Sequence, residues 1–180
     1  MAKRRIHVNV ENEATRQQLR SMVDDKVGAL GSGTEWLHRL INQAGGKDRL
    51  AARLAGTSDK SSRAYKSQRD YISRVLRGGR GIGRDKAGKL SAEARQMAAD
   101  KVRRKVTPPK VKIAATWKMS KTEWHGAATA EFTGEERETL AGLIESGDSD
   151  AILDMVASKY GEDFAANVFD VTDFEGIEIE

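Results

Sequence analysis

The stretch Pro108-Pro-Lys-Val-Lys-Ile-Ala-Ala-Thr-Trp-Lys-Met119 decides the fold class. Two successive prolines cannot continue a helix, since neither can donate a backbone hydrogen bond and each pushes its predecessor toward extended geometry. Beyond them Val111, Ile113, Ala115, Trp117 and Met119 fall on one side, while Lys110, Lys112, Thr116 and Lys118 fall on the other. A period of two is that of a half-buried strand. Before the prolines the period is helical: from about Asp85 to Lys105, Leu90, Ala94, Met97, Ala98 and Val102 keep one apolar edge on an otherwise basic helix. The change of period predicts an α+β chain, helices first, with its border at the prolines.

Reading onward, Trp124, Ala128, Ala130 and Phe132 predict a second strand, antiparallel to the first through a turn near Ser120–Glu123. Thr133 and Glu136 have the spacing of a capping box for a helix carrying Leu140, Leu143 and Ile144, stopped by Gly147. A helix from Ser149 to Tyr160 and a strand from Asn167 to Glu180 complete the order ββααβ. Trp117, Trp124, Phe132, Phe169 and Phe174 read as the core of that sheet rather than as a base-stacking platform.

Reading backward, Lys47-Asp-Arg-Leu-Ala-Ala-Arg-Leu-Ala-Gly56 predicts a short helix closed by glycine. From Ser67 to Arg77 a second helix turns Tyr71, Ile72, Val75 and Leu76 inward. The polar segment Thr57–Lys66 reads as the loop between them. Upstream, Thr34 caps a helix bearing Trp36, Leu37, Leu40 and Ile41, stopped by Gly45-Gly46. Before that an amphipathic helix is expected over about Ala14–Leu30, preceded by a basic tail. The expected organisation is therefore residues 1–33 as tail and first helix, 34–107 as a helical domain with its basic helix, and 110–180 as an acidic ββααβ domain.

The charge is segregated along the chain. Residues 1–121 hold 29 Lys and Arg against 11 Asp and Glu, a net of +18, whereas residues 122–180 hold 2 against 16, a net of −14. A basic front of this size points to an anionic partner, and double-stranded DNA is the leading one. The chain has no cysteine, which removes disulfide frameworks and thiolate zinc sites and points to the cytoplasm, with nucleoid association following from DNA binding. Met1-Ala-Lys-Arg-Arg5 begins like a signal peptide, but no apolar region follows it, and no segment reads as a membrane span. His7, His38 and His125 are scattered, so neither a metal nor any other cofactor is expected. The glycine-rich run Gly78–Gly83 has no preceding strand and no following GK[ST], so it is no nucleotide-binding loop.

Two short helices of this kind suit a helix-turn-helix, in which the first braces on the backbone and the second enters the major groove. Ser67, Gln68, Arg69, Ser73 and Arg74 are then the base-reading set, because Arg can grip guanine and Gln adenine bidentately. Lys60, Arg63, Lys66, Arg77, Arg80, Arg84, Lys86, Arg95, Arg103 and Arg104 are placed for phosphates.

The run Trp36-Leu-His-Arg-Leu-Ile-Asn-Gln-Ala-Gly-Gly46, with Arg49-Leu-Ala-Ala-Arg-Leu-Ala-Gly56 and Ser67-Gln-Arg-Asp-Tyr-Ile-Ser-Arg-Val-Leu-Arg-Gly78, resembles the helix-turn-helix of the telomere terminal proteins of actinobacterial linear chromosomes and plasmids. The Phe132-Thr-Gly-Glu motif, the two helices and the closing Val168-Phe-Asp-Val-Thr-Asp-Phe-Glu-Gly-Ile-Glu-Ile-Glu180 are similar to that family's C-terminal module. The likeness covers about residues 36–180, and the segment Thr57–Lys66 departs from it. It implies binding to replicon-end DNA, partnership with a DNA polymerase and a telomere-associated protein, and covalent attachment of the 5′ nucleotide to a threonine hydroxyl that primes synthesis. Thr107 and Thr116 are the acceptor candidates, with Lys105, Lys110 and Lys112 near an incoming triphosphate. Such a protein accepts a nucleotide rather than catalysing its transfer. The alternative is a plasmid repressor or copy-control protein that uses the same helices and forms a homodimer through its acidic domain. A third reading, a nucleotidyltransferase, would need Asp170 and Asp173 as Mg²⁺ ligands.

Overall fold

The computed structural model describes residues 13, 14, 16–18, 34–78, 81–161, 164 and 167–180, with mixed helix and antiparallel sheet, an α+β chain. The basic tail and most of the helix expected over Ala14–Leu30 lie outside the described residues. Two compact units are present, one spanning Val27–Ala98 and the other Met1–Lys26 with Ala99–Glu180.

In the helical unit, α1 (Thr34–Gln43), α2 (Lys47–Ala55) and α3 (Arg63–Leu76) pack on one another. α4 (Arg84–Arg104) contributes its residues as far as Ala98. The core is Trp36, Leu37, Leu40, Leu50, Ala51, Tyr65, Ile72, Val75, Leu90 and Ala94, all buried. α2 stops where expected, at Gly56, whose φ of 64° lets its own amide bond Arg53 O and that of Thr57 bond Ala52 O.

α3 begins at Arg63, four residues before the expected Ser67, and the loop expected over Thr57–Lys66 is correspondingly shorter. Asp59 folds the chain back by accepting from the amide and hydroxyl of Ser61 at 2.8 and 2.7 Å. The Ser62 hydroxyl donates to Asp59 O (2.8 Å) and accepts from the Tyr65 amide (3.2 Å), capping the helix. Arg63 to Lys66 thus form the first turn of α3, with Tyr65 buried beneath it.

In the sheet unit, β1 (Lys110–Met119), β2 (Glu123–Glu131) and β3 (Val168–Ile179) form an antiparallel sheet in the order β2-β1-β3. Trp117 pairs with Trp124, and Ile113 lies between Ala128 and Ile177. The alternation read in the sequence places Val111, Ile113, Ala115 and Trp117 on the buried face, against which α6 (Ser149–Tyr160) packs, with α5 (Glu135–Ser146) packed on α6. Trp117, Phe132 and Phe174 are core residues, Trp124 is half-buried, and the Phe169 side chain falls outside the described residues. Trp124 lies over Gly126, where an added Cβ would stand 2.6 Å from its ring, so the strand needs glycine there.

The expected capping box at Thr133 and Glu136 is not formed. Gly134, at φ 53° and ψ −128°, occupies the N-cap position and has no side chain to offer. Its turn presents the Thr133 carbonyl, rather than the hydroxyl, to the Glu136 amide at 3.1 Å. Among the described residues no helix is long and apolar enough to cross a membrane.

Candidate nucleic-acid interface

The packing of α2 on α3 is tied by polar links at one edge. Lys47 Nζ donates to Ser73 Oγ at 3.3 Å, and Arg69 Nε donates to Asp48 Oδ1 at 2.8 Å, with Lys60 Nζ 3.9 Å from the other carboxylate oxygen. The hydrogen bond from Arg69 holds the Asp48 carboxyl below the usual aspartate range. Across the helix, Gln68 accepts from Lys86 Nζ at 3.2 Å, and that ammonium lies 5.2 Å from the centre of the Tyr71 ring. Both contacts orient α3 around its axis.

Facing away from the core are Arg63, Lys66, Ser67, Asp70, Arg74 and Arg77, all exposed and spaced at three, one, three, four and three residues along α3. That spacing puts them on one helical face. Among the described residues, Arg63, Lys66, Arg74 and Arg77 form no ion pair. The base-reading set expected from sequence is therefore divided. Ser67 and Arg74 stand on the outward face, Gln68 is turned toward α4, Arg69 toward Asp48, and Ser73 is half-buried with its hydroxyl on Arg69 O at 2.9 Å.

Of the residues expected at phosphates, Lys60, Arg63, Lys66, Arg77, Arg84 and Arg104 are exposed, and Lys86 and Arg95 are half-buried. Arg103 belongs to the sheet unit and is held by Glu145 (3.0 Å) and Glu138 (3.2 Å). Arg80 lies outside the described residues. Sequence reading missed Lys47 and Arg49, which flank Asp48 at the start of α2. The signal was the Gly45-Gly46 pair just before them, taken only as a helix stop.

The two acceptor candidates differ in setting. Thr107 is exposed, and its carbonyl accepts from Arg137 at 3.4 Å. Thr116 lies on the strand face read as polar, yet it is only 6% exposed. Its cross-strand neighbours His125 and Thr172 flank it, and its hydroxyl is 2.8 Å from His125 Nδ1. Lys110 and Lys112 pair with Glu131 (2.6 Å) and Glu178 (3.5 Å), and the Glu131 hydrogen bond raises the Lys110 pKa. Asp170 accepts from the Val171 amide at 2.9 Å and stands 3.9 Å from Lys118 Nζ, while Asp173 is exposed at φ 49°. Among the described residues no group of three or more His, Asp or Glu could hold a metal ion.

Compared with known proteins, the chain matches no family model, no curated protein and no solved structure.

Proposed function

We propose that the chain binds duplex DNA through a helix-turn-helix made of α2 and α3, with the outward face of α3 in the major groove. The observation that carries this reading is the excess of cations over carboxylates on that face, Arg63, Lys66, Arg74 and Arg77 against Asp70, on a helix fixed from both sides by Asp48 and Lys86. Ser67 and Arg74 reach base edges, while Arg63, Lys66 and Arg77 contact phosphates. Lys60 and Arg84 extend the cationic surface beyond α3.

Within that reading, the protein acts at the ends of linear replicons as a terminal protein. A threonine hydroxyl attacks the α-phosphorus of an incoming nucleotide, a new phosphoester forms, pyrophosphate leaves, and a partner DNA polymerase supplies the catalysis. The hydroxyl proton needs an acceptor. At Thr116 His125 can take it, whereas Thr107 has the freer access. Support comes from the sequence resemblance over residues 36–180.

Incubation with polymerase extract and labelled dCTP should label the protein in a form that survives boiling in detergent. Either Thr107→Ala or Thr116→Ala should abolish the label. Tight operator binding with no label from an active extract would select the repressor reading instead. Labelling by the purified chain alone, lost in Asp170→Ala, would select the transferase.

A further inference from the structure

At about 100° per residue, Arg69 and Ser73 lie to one side of the outward face of α3, and Gln68 and Tyr71 lie to the other. The first side is packed on α2, where Asp48 receives Arg69 and Ser73 receives Lys47. The second side opens on a cleft of about 420 Å³, lined by Arg53 of α2, Gln68 and Tyr71 of α3, and Lys86, Glu93 and Gln96 of α4. Long side chains, rather than close backbone packing, hold α3 and α4 together here.

α4 itself is anchored independently of α3. Glu93 pairs with Arg53, which ties α4 to α2, and Leu90 is buried in the core. Lys86 lies four residues before Leu90 and seven before Glu93, so the three share one edge of the helix. From that edge its ammonium donates to Gln68 Oε1 at 3.2 Å and stands 5.2 Å from the centre of the Tyr71 ring, within reach of the attraction of the ring face. One cation on an anchored helix thus engages two residues on the flank of α3.

The rotation of α3 about its own axis fixes where Ser67 and Arg74 point. A roll of about 20° carries a side-chain tip, about 6 Å from the axis, through about 2 Å. Hydrogen bonds to base edges do not survive such a displacement, since they are confined to roughly 2.7–3.2 Å. Phosphate contacts made through the long, flexible side chains of Arg63, Lys66 and Arg77 accommodate it.

We infer that Lys86 is a positioning residue for sequence reading: by holding Gln68 and Tyr71 it sets the roll of α3, and with it the DNA sequence that the protein prefers. This rests on the proposed DNA-binding reading and adds that a cation off the outward face of α3 governs specificity. It gives Lys86 a role opposite to that of a phosphate contact, which its charge alone suggests.

The test uses the full chain, a duplex selected from a randomised pool for binding to the wild type, and a scrambled duplex of the same composition. In Lys86→Met the preference for the selected duplex should fall about tenfold, the worth of one bidentate base contact. Affinity for the scrambled duplex should stay within about twofold, with a salt slope changed by well under one. Lys86→Arg should restore most of the preference, because a guanidinium can donate to Gln68 and lie over Tyr71. Gln68→Met removes the hydrogen bond and no charge, so it serves if Lys86→Met fails to fold by circular dichroism; its preference should fall about threefold. Equal weakening on both duplexes in Lys86→Met, with the slope lower by about one, would make Lys86 a phosphate contact and overturn the inference. An unchanged preference in Lys86→Met, or in Gln68→Met where that variant serves, would overturn it as well. If the wild type binds every duplex alike, there is no preference for Lys86 to set, and the inference falls while DNA binding stands. If the wild type binds no duplex, the DNA-binding reading falls and the inference with it.

Discussion

The two units treat their cations in opposite ways. On the sheet, Lys110 faces Glu131, Lys112 faces Glu178 and Lys118 faces Asp170, each pair formed across neighbouring strands. On α3, Arg63, Lys66, Arg74 and Arg77 share one exposed face with a single carboxylate, Asp70, and none of the four is in a direct ion pair with a described residue, although the charge of Lys66 acts on Asp59. Exposed ion pairs add little stability, so the pairing on the sheet matters chiefly because it cancels charge where it stands. Like charges gathered on one helix face repel each other, a cost that a phosphate backbone removes. On the proposed DNA-binding reading, the raw count of basic residues in the front of the chain overstates its reach toward an anionic partner, because cations matched by a carboxylate are already neutralised where they stand.

The sharpest way to break this contrast is to neutralise three cations in each place. The triple change Arg63→Gln, Lys66→Gln and Arg74→Gln should weaken duplex binding by at least about a hundredfold near 0.1 M salt. Lys110→Gln, Lys112→Gln and Lys118→Gln together should leave binding within about twofold, because those charges are already opposed. Comparable losses in fluorescence anisotropy would erase the distinction. Next in size is Gly126→Ala, which forces the new methyl into the Trp124 ring and should destabilise the sheet unit by about 1–3 kcal/mol in urea unfolding. It should leave duplex affinity unchanged. Ser62→Ala removes the cap of α3 and should cost about 1 kcal/mol, with faster hydrogen exchange at the Tyr65 amide that the hydroxyl now holds.

The smallest effect concerns acid. Asp48 has a folded-state pKa below its ordinary value of 3.8, so its contribution is present above that value and is lost as pH falls through the lower folded value. Asp48→Asn should therefore flatten the acid-side decline in stability of the helical unit, read by circular dichroism. An unchanged acid profile would mean that the Arg69 pair does not hold α2 to α3.

How much of this was legible follows from where the information sits. The alternation from Val111 to Met119, the proline pair and Gly147 are local signals, and the strands and helices of the sheet unit lie within a few residues of their expected bounds. The start of α3 was hidden because Ser61, Ser62 and Lys60 look like loop composition, while the capping depends on hydrogen bonds that composition does not encode. Tyr65 could have revealed it, being seven residues before Ile72 and thus on the same helical stripe. In the candidate interface, the cations could be read one by one, but their partners could not. Asp48 and Arg69 are 21 residues apart, and Thr116 meets His125 only through the β1–β2 register. Exposure of α3's outward face, and the diversion of Gln68 and Arg69 from it, are consequences of tertiary contacts.

The most direct test of the central claim is the affinity of the wild-type chain for duplex DNA measured across a salt series. Four or more phosphates engaged by the α3 face and the cations flanking it predict retention in low salt and a slope of log K against log salt of about −4 or steeper. No retardation of any duplex in low-salt buffer, or an affinity indifferent to salt, would contradict the account.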